Sequence, residues 1–399
     1  MTDTHRKDAM TTEQQAKPLP FCQPDIGEDE IAEVVDTIRS GWLTTGPKTK
    51  EFEERFREYV GSKFAVAVSS CTAALHLILN AAGIGEGDEV ITTPLTFCAT
   101  VNVIIHQRAT PVLADICLDD YNIDPEQVER RITPRTKAII AVHYGGHPCR
   151  MDELLAIARR HRLLLIEDAA HAVGAHYRGK PVGSLGDATA FSFYVIKNLT
   201  TGEGGMVTTD NPELEDKVRL LRLHGMSHDA WKRYDARGSW YYEVLMPGFN
   251  YKMTDVQAAL GLHQLARLEG FIERRAQIVA DYGRRLGRLP ELTLPQARPE
   301  VRHAWHLYPI RLDGEQLTIG RDQLIEELKA RGIGTSVHFI PIHYHPYYQQ
   351  TFGFKPGDFP NTDRLFAGLL SLPLFPRMTD ADVARVSSAV EEIVVSHRR

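Results

Sequence analysis

Three short stretches carry residue types that could do chemistry together. In Phe191-Ser192-Phe193-Tyr194-Val195-Ile196-Lys197-Asn198-Leu199-Thr200-Thr201-Gly202-Glu203-Gly204-Gly205, an apolar run gives way to a lysine and then to a glycine-rich loop. So apolar a setting disfavours an ammonium and lowers its pKa from about 10.4 toward values at which a neutral amine attacks a carbonyl, which is Schiff-base chemistry. A lysine taken without context is far more often a solvated surface charge. In Leu163-Leu164-Leu165-Ile166-Glu167-Asp168-Ala169-Ala170-His171, a buried strand ends in acids and a histidine. Asp168 there needs a positive or hydrogen-bonding partner; the plainer alternative makes it a turn cap and His171 a satisfied core imidazole. In Val68-Ser69-Ser70-Cys71-Thr72, a strand runs into a helical stretch over 73–82. Free N–H groups and the positive helix end make this junction a phosphate cradle, with the Ser70 and Thr72 hydroxyls as further donors, unless they merely cap the helix. Cradle, strand-end aspartate and apolar lysine, in that order on one sheet, are the parts a pyridoxal phosphate enzyme requires: Lys197 for the aldehyde, Asp168 for the pyridinium nitrogen.

Positioning these residues takes a sheet whose strands end together. Seven short apolar runs, at 64–68, 89–92, 111–116, 138–143, 163–167, 190–193 and 206–209, alternate with helical patterns and mostly lack in/out alternation. That predicts an α/β fold: a mainly parallel seven-stranded sheet with helices on both faces, in a large domain over 20–265. Ile31, Val34, Val35 and Ile38, then Phe52, Phe56, Tyr59 and Val60, predict two amphipathic helices before it. Thr254 and Gln257 form a capping box ahead of a long apolar stripe that bridges to a smaller α+β C-terminal domain over 266–399, with strands at 306–312 and 334–338 and helices at 321–330 and 379–394. Residues 1–19 read as a disordered tail.

Composition narrows the partners. The 399 residues are 43% hydrophobic and 25% charged, with net charge −6, which lacks the basic footprint of a nucleic-acid binder. No apolar run reaches the roughly 18 residues of a membrane span and no signal-peptide core is present, so no membrane partner and a cytoplasmic location are expected. Five scattered cysteines without a CxxC pair predict free thiols. His143, His147 and Cys149 lack a fourth ligand at convincing spacing, as do His338, His343 and His345, so no metal site is expected. Gly83-Ile84-Gly85-Glu86-Gly87 follows a helix and precedes a strand, the reverse of a dinucleotide loop.

With Gly41-Trp42-Leu43-Thr44-Thr45-Gly46-Pro47, Ser69 to Thr72, Glu167 to His171, Phe191-Ser192-Phe193 with Lys197, and Gly202 to Gly205, the sequence resembles the DegT/DnrJ/EryC1/StrS sugar aminotransferases, fold type I enzymes dependent on pyridoxal 5'-phosphate, over nearly the whole chain after the tail. It looks most like enzymes that aminate C4 of a UDP-linked 4-keto sugar for surface polysaccharides, such as those making UDP-4-amino-4-deoxy-L-arabinose. The resemblance implies a two-stage exchange from L-glutamate through the pyridoxamine form, with release of 2-oxoglutarate. It makes Lys197 the aldehyde-binding lysine and proton shuttle, Asp168 the pyridinium partner and His171 a neighbour of the cofactor's phenolic oxygen. It stacks Phe97 on the ring and gives the phosphate to Ser70, Cys71, Thr72 and Ser192. Asn250 would reach the phosphate of a neighbouring subunit, making the active unit a homodimer with shared sites. Thr44, Thr45, His338, His343, His345 and Tyr347 would border the sugar. Lys252 stands where many relatives carry Arg, and lysine cannot make the planar bidentate fork. A C3-directed aminotransferase shares every cofactor residue; a sugar dehydratase of the same fold commonly has His in place of Lys197; a cofactor-binding sensor would not need the full set.

Overall fold

The chain is described by a computed structural model over residues 17–227 and 241–399. It begins with α1 (Glu28–Ser40) and α2 (Pro47–Val60), then alternates through β1 (Phe64–Val68), α3 (Cys71–Ala81), β2 (Glu89–Thr92), α4 (Cys98–His106), β3 (Thr110–Leu113), α5 (Pro125–Arg130), β4 (Thr136–Val142), α6 (Met151–His161) and β5 (Leu164–Asp168). The hairpin β6 (His176–Tyr177) and β7 (Lys180–Pro181) leads to β8 (Ala188–Ser192), β9 (Gly205–Thr209) and α7 (Pro212–Leu221). Among the described residues, seven strands form one sheet in the order β1-β9-β8-β5-β4-β2-β3. Only β9 runs against its neighbours β1 and β8; the remaining pairs are parallel.

Each stretch read as a strand overlaps one of these: 64–68 and 89–92 coincide with β1 and β2, and the other five are shifted by one to three residues at their ends. The run 111–116 leaves the sheet at Leu113 because Asp115 turns away to accept hydrogen bonds from the N–H groups of Asn361 and Thr362. One face of the sheet packs α3 and α7 through Leu75, Ile78, Leu79 and Val218. The other packs Phe52 and Phe56 of α2 edge-on against Phe191 and Phe193. In α1 the apolar stripe faces outward instead: Ile31, Val35 and Ile38 are exposed, while Glu30 is buried because Arg267 and Gln264 bind its carboxylate.

The capping box at Thr254 forms and opens α8 (Asp255–Leu286). Its first half, through Ile272, packs on the large sheet; Ile278, Tyr282 and Leu286 belong to the second core. Position 265 thus lies inside an unbroken helix. Beyond it come β10 (Leu292–Thr293), β11 (Val301–Arg302), β12 (Tyr308–Leu312), α9 (Arg321–Ala330), α10 (Pro346–Phe352), α11 (Pro360–Gly368), β13 (Leu369–Leu372) and α12 (Asp380–Ser396). β10, β12 and β13 form an antiparallel sheet, whereas β11 returns to pair with β6. The expected strand at 334–338 does not form. Gly334 donates to Leu19 and Ser336 exchanges with Ser371, so this backbone is satisfied by single bridges to two different partners. Of the expected tail, residues 1–16 lie outside the described residues, and Leu19 is buried and bridges Ile333.

Glu53 joins α2 to the sheet and to α7. Its buried carboxylate accepts from the Ala67 N–H at 2.9 Å and from Arg219 and Arg222 at 2.9 and 2.6 Å. Burial alone would raise its pKa, but the two guanidiniums outweigh it and hold the group below the usual carboxylate range. Glu53→Ala therefore leaves Arg222 without a carboxylate among the described residues and Arg219 with Glu215 alone, and is expected to cost about 3–5 kcal/mol in urea unfolding at neutral pH. Because the native pKa is depressed, the contribution is complete above the ordinary value of 4.5 and is lost as pH falls through the native value. A deficit that stays constant into strong acid would contradict the pairing.

Candidate active site

The carboxyl ends of β1, β5 and β8 meet at one edge, and the register shows how. Gly205, at the start of β9, lies opposite Val68 on one side and Ser192 on the other. A Cβ on Gly205 would fall 2.4 Å from the carbonyl carbon of Ser70 and 2.7 Å from the Cys71 nitrogen. The first turn of α3 therefore sits flush against the sheet only because this position has no side chain. Ser70 is the N-cap of α3 and its Oγ accepts from the Ala73 N–H at 3.0 Å, which leaves its hydroxyl proton free to donate. Ser192 is likewise used only as an acceptor, from the Tyr194 N–H at 3.4 Å. Helix end and hydroxyls thus present unused donors to an anion, as a phosphate cradle requires.

Asp168 ends β5 and is 5% exposed. Its Oδ2 accepts from the Thr100 hydroxyl at 2.8 Å; its Oδ1 accepts from the Ala170 N–H at 3.2 Å and lies 3.8 Å from the Cys71 thiol, whose proton it shares with the Ala190 carbonyl at 3.6 Å. Among the described residues no cation forms an ion pair with it. Lys197 is partly exposed, and its ammonium has neither an ion pair nor a hydrogen bond among the described residues. Burial lowers its pKa from 10.5 to about 8, against the opposing pull of Cys71, Asp168 and Cys22. An unpaired amine close to half-deprotonated at pH 8, facing an anion cradle and a carboxylate, fits a phosphorylated aromatic aldehyde with a ring nitrogen to protonate.

Three histidines enclose this amine. His171 Nδ1 accepts from the Gly145 N–H at 3.2 Å, which puts its proton on Nε2. Its ring lies 4.4 Å from that of His306 and stacks on Phe339 at 5.7 Å. Asn198 donates to the Ala304 carbonyl and receives the His306 Nδ1 proton at 3.2 Å, so the buried His306 Nε2 is left without a partner. Burial and the Lys197 charge hold His171 well below the usual imidazole range and His338 at about 4; His306, buried beside His171 and Lys197, is also well below it. All three are neutral at physiological pH.

The other expected residues are placed as follows. Phe97 is exposed at the N-cap of α4, its ring 5.8 Å from Phe339. His338 is buried, with Nδ1 3.0 Å from the Ser371 hydroxyl and its ring 5.2 Å from Phe21. Ser69 donates to the Tyr251 carbonyl and Lys252 bridges Val68, so the segment holding Asn250 and Lys252 runs along the cradle, with Asn250 exposed. Thr45 donates to the Met253 carbonyl and the Thr44 carbonyl accepts from Asp255. The region of His343, His345 and Tyr347 is not drawn to the lysine: His343 pairs with Asp363 at 2.6 Å, His345 with the Ile340 carbonyl, and Tyr347 packs edge-on against Tyr348. Sequence reasoning missed Cys22, Thr100, Gly145, His306 and Phe339. The motif His303-Ala304-Trp305-His306 was the available signal for His306; the others are brought in by tertiary contacts.

A family model for the DegT/DnrJ/EryC1/StrS aminotransferase family matches residues 24–391. The chain is 55% identical to the spore coat polysaccharide biosynthesis protein SpsC of Bacillus subtilis over 94% of this chain and 97% of that protein. It superposes on a Streptococcus pneumoniae protein proposed to be a sugar aminotransferase, solved in PMP and PLP forms. The PMP form gives a TM-score of 0.90 at 36% identity, over 95% of this chain and 99% of that one. Helicobacter pylori PseC, an aminotransferase involved in the biosynthesis of pseudoaminic acid, gives 0.89 at 32% identity, over 95% and 100%.

The lowered amine predicts a pH profile. Raising pH deprotonates Lys197, so the rate at which the cofactor-free protein captures a small aromatic aldehyde, trapped by borohydride and located by peptide mass spectrometry, is expected to rise with a midpoint at about 8. A midpoint at the ordinary 10.5 would show that the amine is not desolvated.

Proposed function

The chain belongs to the DegT/DnrJ/EryC1/StrS aminotransferase family, and from that premise we propose that it moves an amino group from L-glutamate to a 4-keto nucleotide sugar, UDP-linked, in two stages. At the coarser level it is a sugar aminotransferase of fold type I that depends on pyridoxal phosphate. The observation that carries the transamination is the unpaired Lys197 amine, with its pKa of about 8, at the strand edge that also carries Asp168 and the α3 cradle; the donor and the UDP-linked 4-keto sugar rest on the resemblance of the motifs.

Pyridoxal phosphate, when bound, supplies an electron sink that stabilises negative charge on the carbon that loses its proton. The protein supplies the rest. The N–H groups at the start of α3, with the Ser70, Thr72 and Ser192 hydroxyls, hold the phosphate. Asp168 keeps a proton on the ring nitrogen, as an anion close to a cation does. His171, with its proton fixed on Nε2 by Gly145, would donate to the cofactor's phenolic oxygen, and Phe97 would lie against its ring. Lys197 Nζ, lying close to neutrality, takes the α-proton of glutamate in the first stage and returns a proton toward the sugar in the second. One base serves both stages because the proton moves over a single face of a planar system. Thr44, Thr45, Lys252, His338 and Tyr347 border the sugar in this reading. Asn250, exposed beside the cradle, serves the neighbouring subunit of a homodimer. The outward apolar stripe Ile31, Val35 and Ile38, with exposed Trp42 and Leu43, gives such a dimer a surface to bury.

With L-glutamate alone, the loaded protein is expected to release one equivalent of 2-oxoglutarate while its aldehyde absorbance decays, and a UDP-4-keto sugar should restore the band and yield the 4-amino product by NMR. Lys197→Ala is expected to keep phosphate affinity and lose at least about 10²–10⁴-fold in turnover. No decay with glutamate would point to a sensor, and amination at C3 would overturn the positional assignment.

A further inference from the structure

The carboxylate of Asp168 is held in a way that nothing in its own motif explains. Thr100 lies in the first turn of α4 and is 1% exposed; Thr96, just before that helix, is 2% exposed. Their hydroxyl oxygens are 2.7 Å apart, and Thr100 Oγ1 is 2.8 Å from Asp168 Oδ2. An ionised carboxylate can only accept, so the Thr100 proton is committed to Oδ2. Thr100 oxygen must then accept from Thr96, which fixes the direction of the chain: Thr96 to Thr100 to Asp168. Each bond polarises the next in a site closed to water.

We infer that Thr100 is a positioning residue for Asp168, holding the carboxylate in one rotation through a chain of neutral donors. This rests on the reading of Asp168 as the partner of the cofactor's ring nitrogen. The argument is electrostatic. An arginine or lysine bound to Asp168 would orient it equally well but would neutralise the charge that the ring nitrogen needs. Here the donors on both oxygens are a hydroxyl, an amide N–H and a thiol, none of them charged. The thiol stays protonated, since burial and the adjacent Asp168 push the Cys71 pKa well above its ordinary value. The negative charge is therefore left to act on the ring nitrogen. Without the Thr100 hydroxyl, a buried oxygen lone pair goes unmatched and the rotation of the carboxylate is released.

The test uses the full chain freed of cofactor, with T100V (shape kept, hydroxyl lost), T100S (hydroxyl kept), T96V and D168N. Two quantities are read: the dissociation constant for pyridoxal phosphate by equilibrium dialysis, and the pH midpoint of the visible band of the loaded protein. T100V is expected to bind about tenfold more weakly. Its midpoint should move upward by about 1, because a ring that loses its positive charge no longer opposes protonation at the lysine nitrogen. T100S should stay within about twofold of the parent, with T96V between the two. T100S failing as badly as T100V would make Thr100 a packing residue and overturn the inference. So would an unchanged T100V beside a changed D168N. An unchanged D168N overturns the assignment of Asp168 itself, and the role of Thr100 with it.

Discussion

An ammonium and a carboxylate attract strongly where the dielectric is low, yet the partly exposed Lys197 and the buried Asp168 make no ion pair with each other or with any other described group. Their separation sets the terms for the rest of the site. If they met, the amine would be locked in its charged form and the carboxylate spent on it. Instead Asp168 takes its hydrogen bonds from neutral donors on α4, on α3 and in the turn after β5, and Lys197 finds no acceptor among the described residues. The amine is left desolvated, with its pKa near 8, and the carboxylate is left with its charge.

That separation is a product of sheet geometry. β5 delivers Asp168 and β8 runs out toward Lys197, two parallel neighbours that end on the same edge. β9, the one reversed strand, comes back between β1 and β8 and places a glycine where the α3 terminus must press on the sheet. A side chain there would push the cradle off the strands. Arg275, buried in α8 and donating to the carbonyls of Trp305, His306 and Leu374, ties the bridging helix to the segment that carries His306. Its pKa is lowered to about 10 by burial, which outweighs the opposing pull of Cys22. It is a second buried cation without a carboxylate partner among the described residues, held by these carbonyls and the Cys22 thiol.

What could be read from the sequence was what depends on local order. Apolar runs gave the strands to within a few positions, the Thr254–Gln257 box opened α8, and helix α9 spans 321–330 as expected. Lys197, Asp168 and Ser70 were visible because each stands where an apolar run stops. The orientation of α1 was not legible: an apolar stripe at helical spacing reads as core, but the burial of Glu30 is decided by Arg267 and Gln264, more than two hundred residues away. Thr100 and Gly145 were hidden for the same reason. An ordinary threonine on a helix and a glycine in a turn acquire roles only through what the fold sets against them. The strand expected at 334–338 failed because β propensity says nothing of where partners lie.

The central claim is that one amine and one carboxylate address opposite ends of the same small ring. A crystal structure of the protein loaded with pyridoxal phosphate tests it most directly. The account predicts continuous density from Lys197 Nζ to the aldehyde carbon and an Asp168 oxygen within hydrogen-bonding distance of the ring nitrogen. Attachment at any other lysine, or a ring nitrogen facing a group other than Asp168, would contradict it.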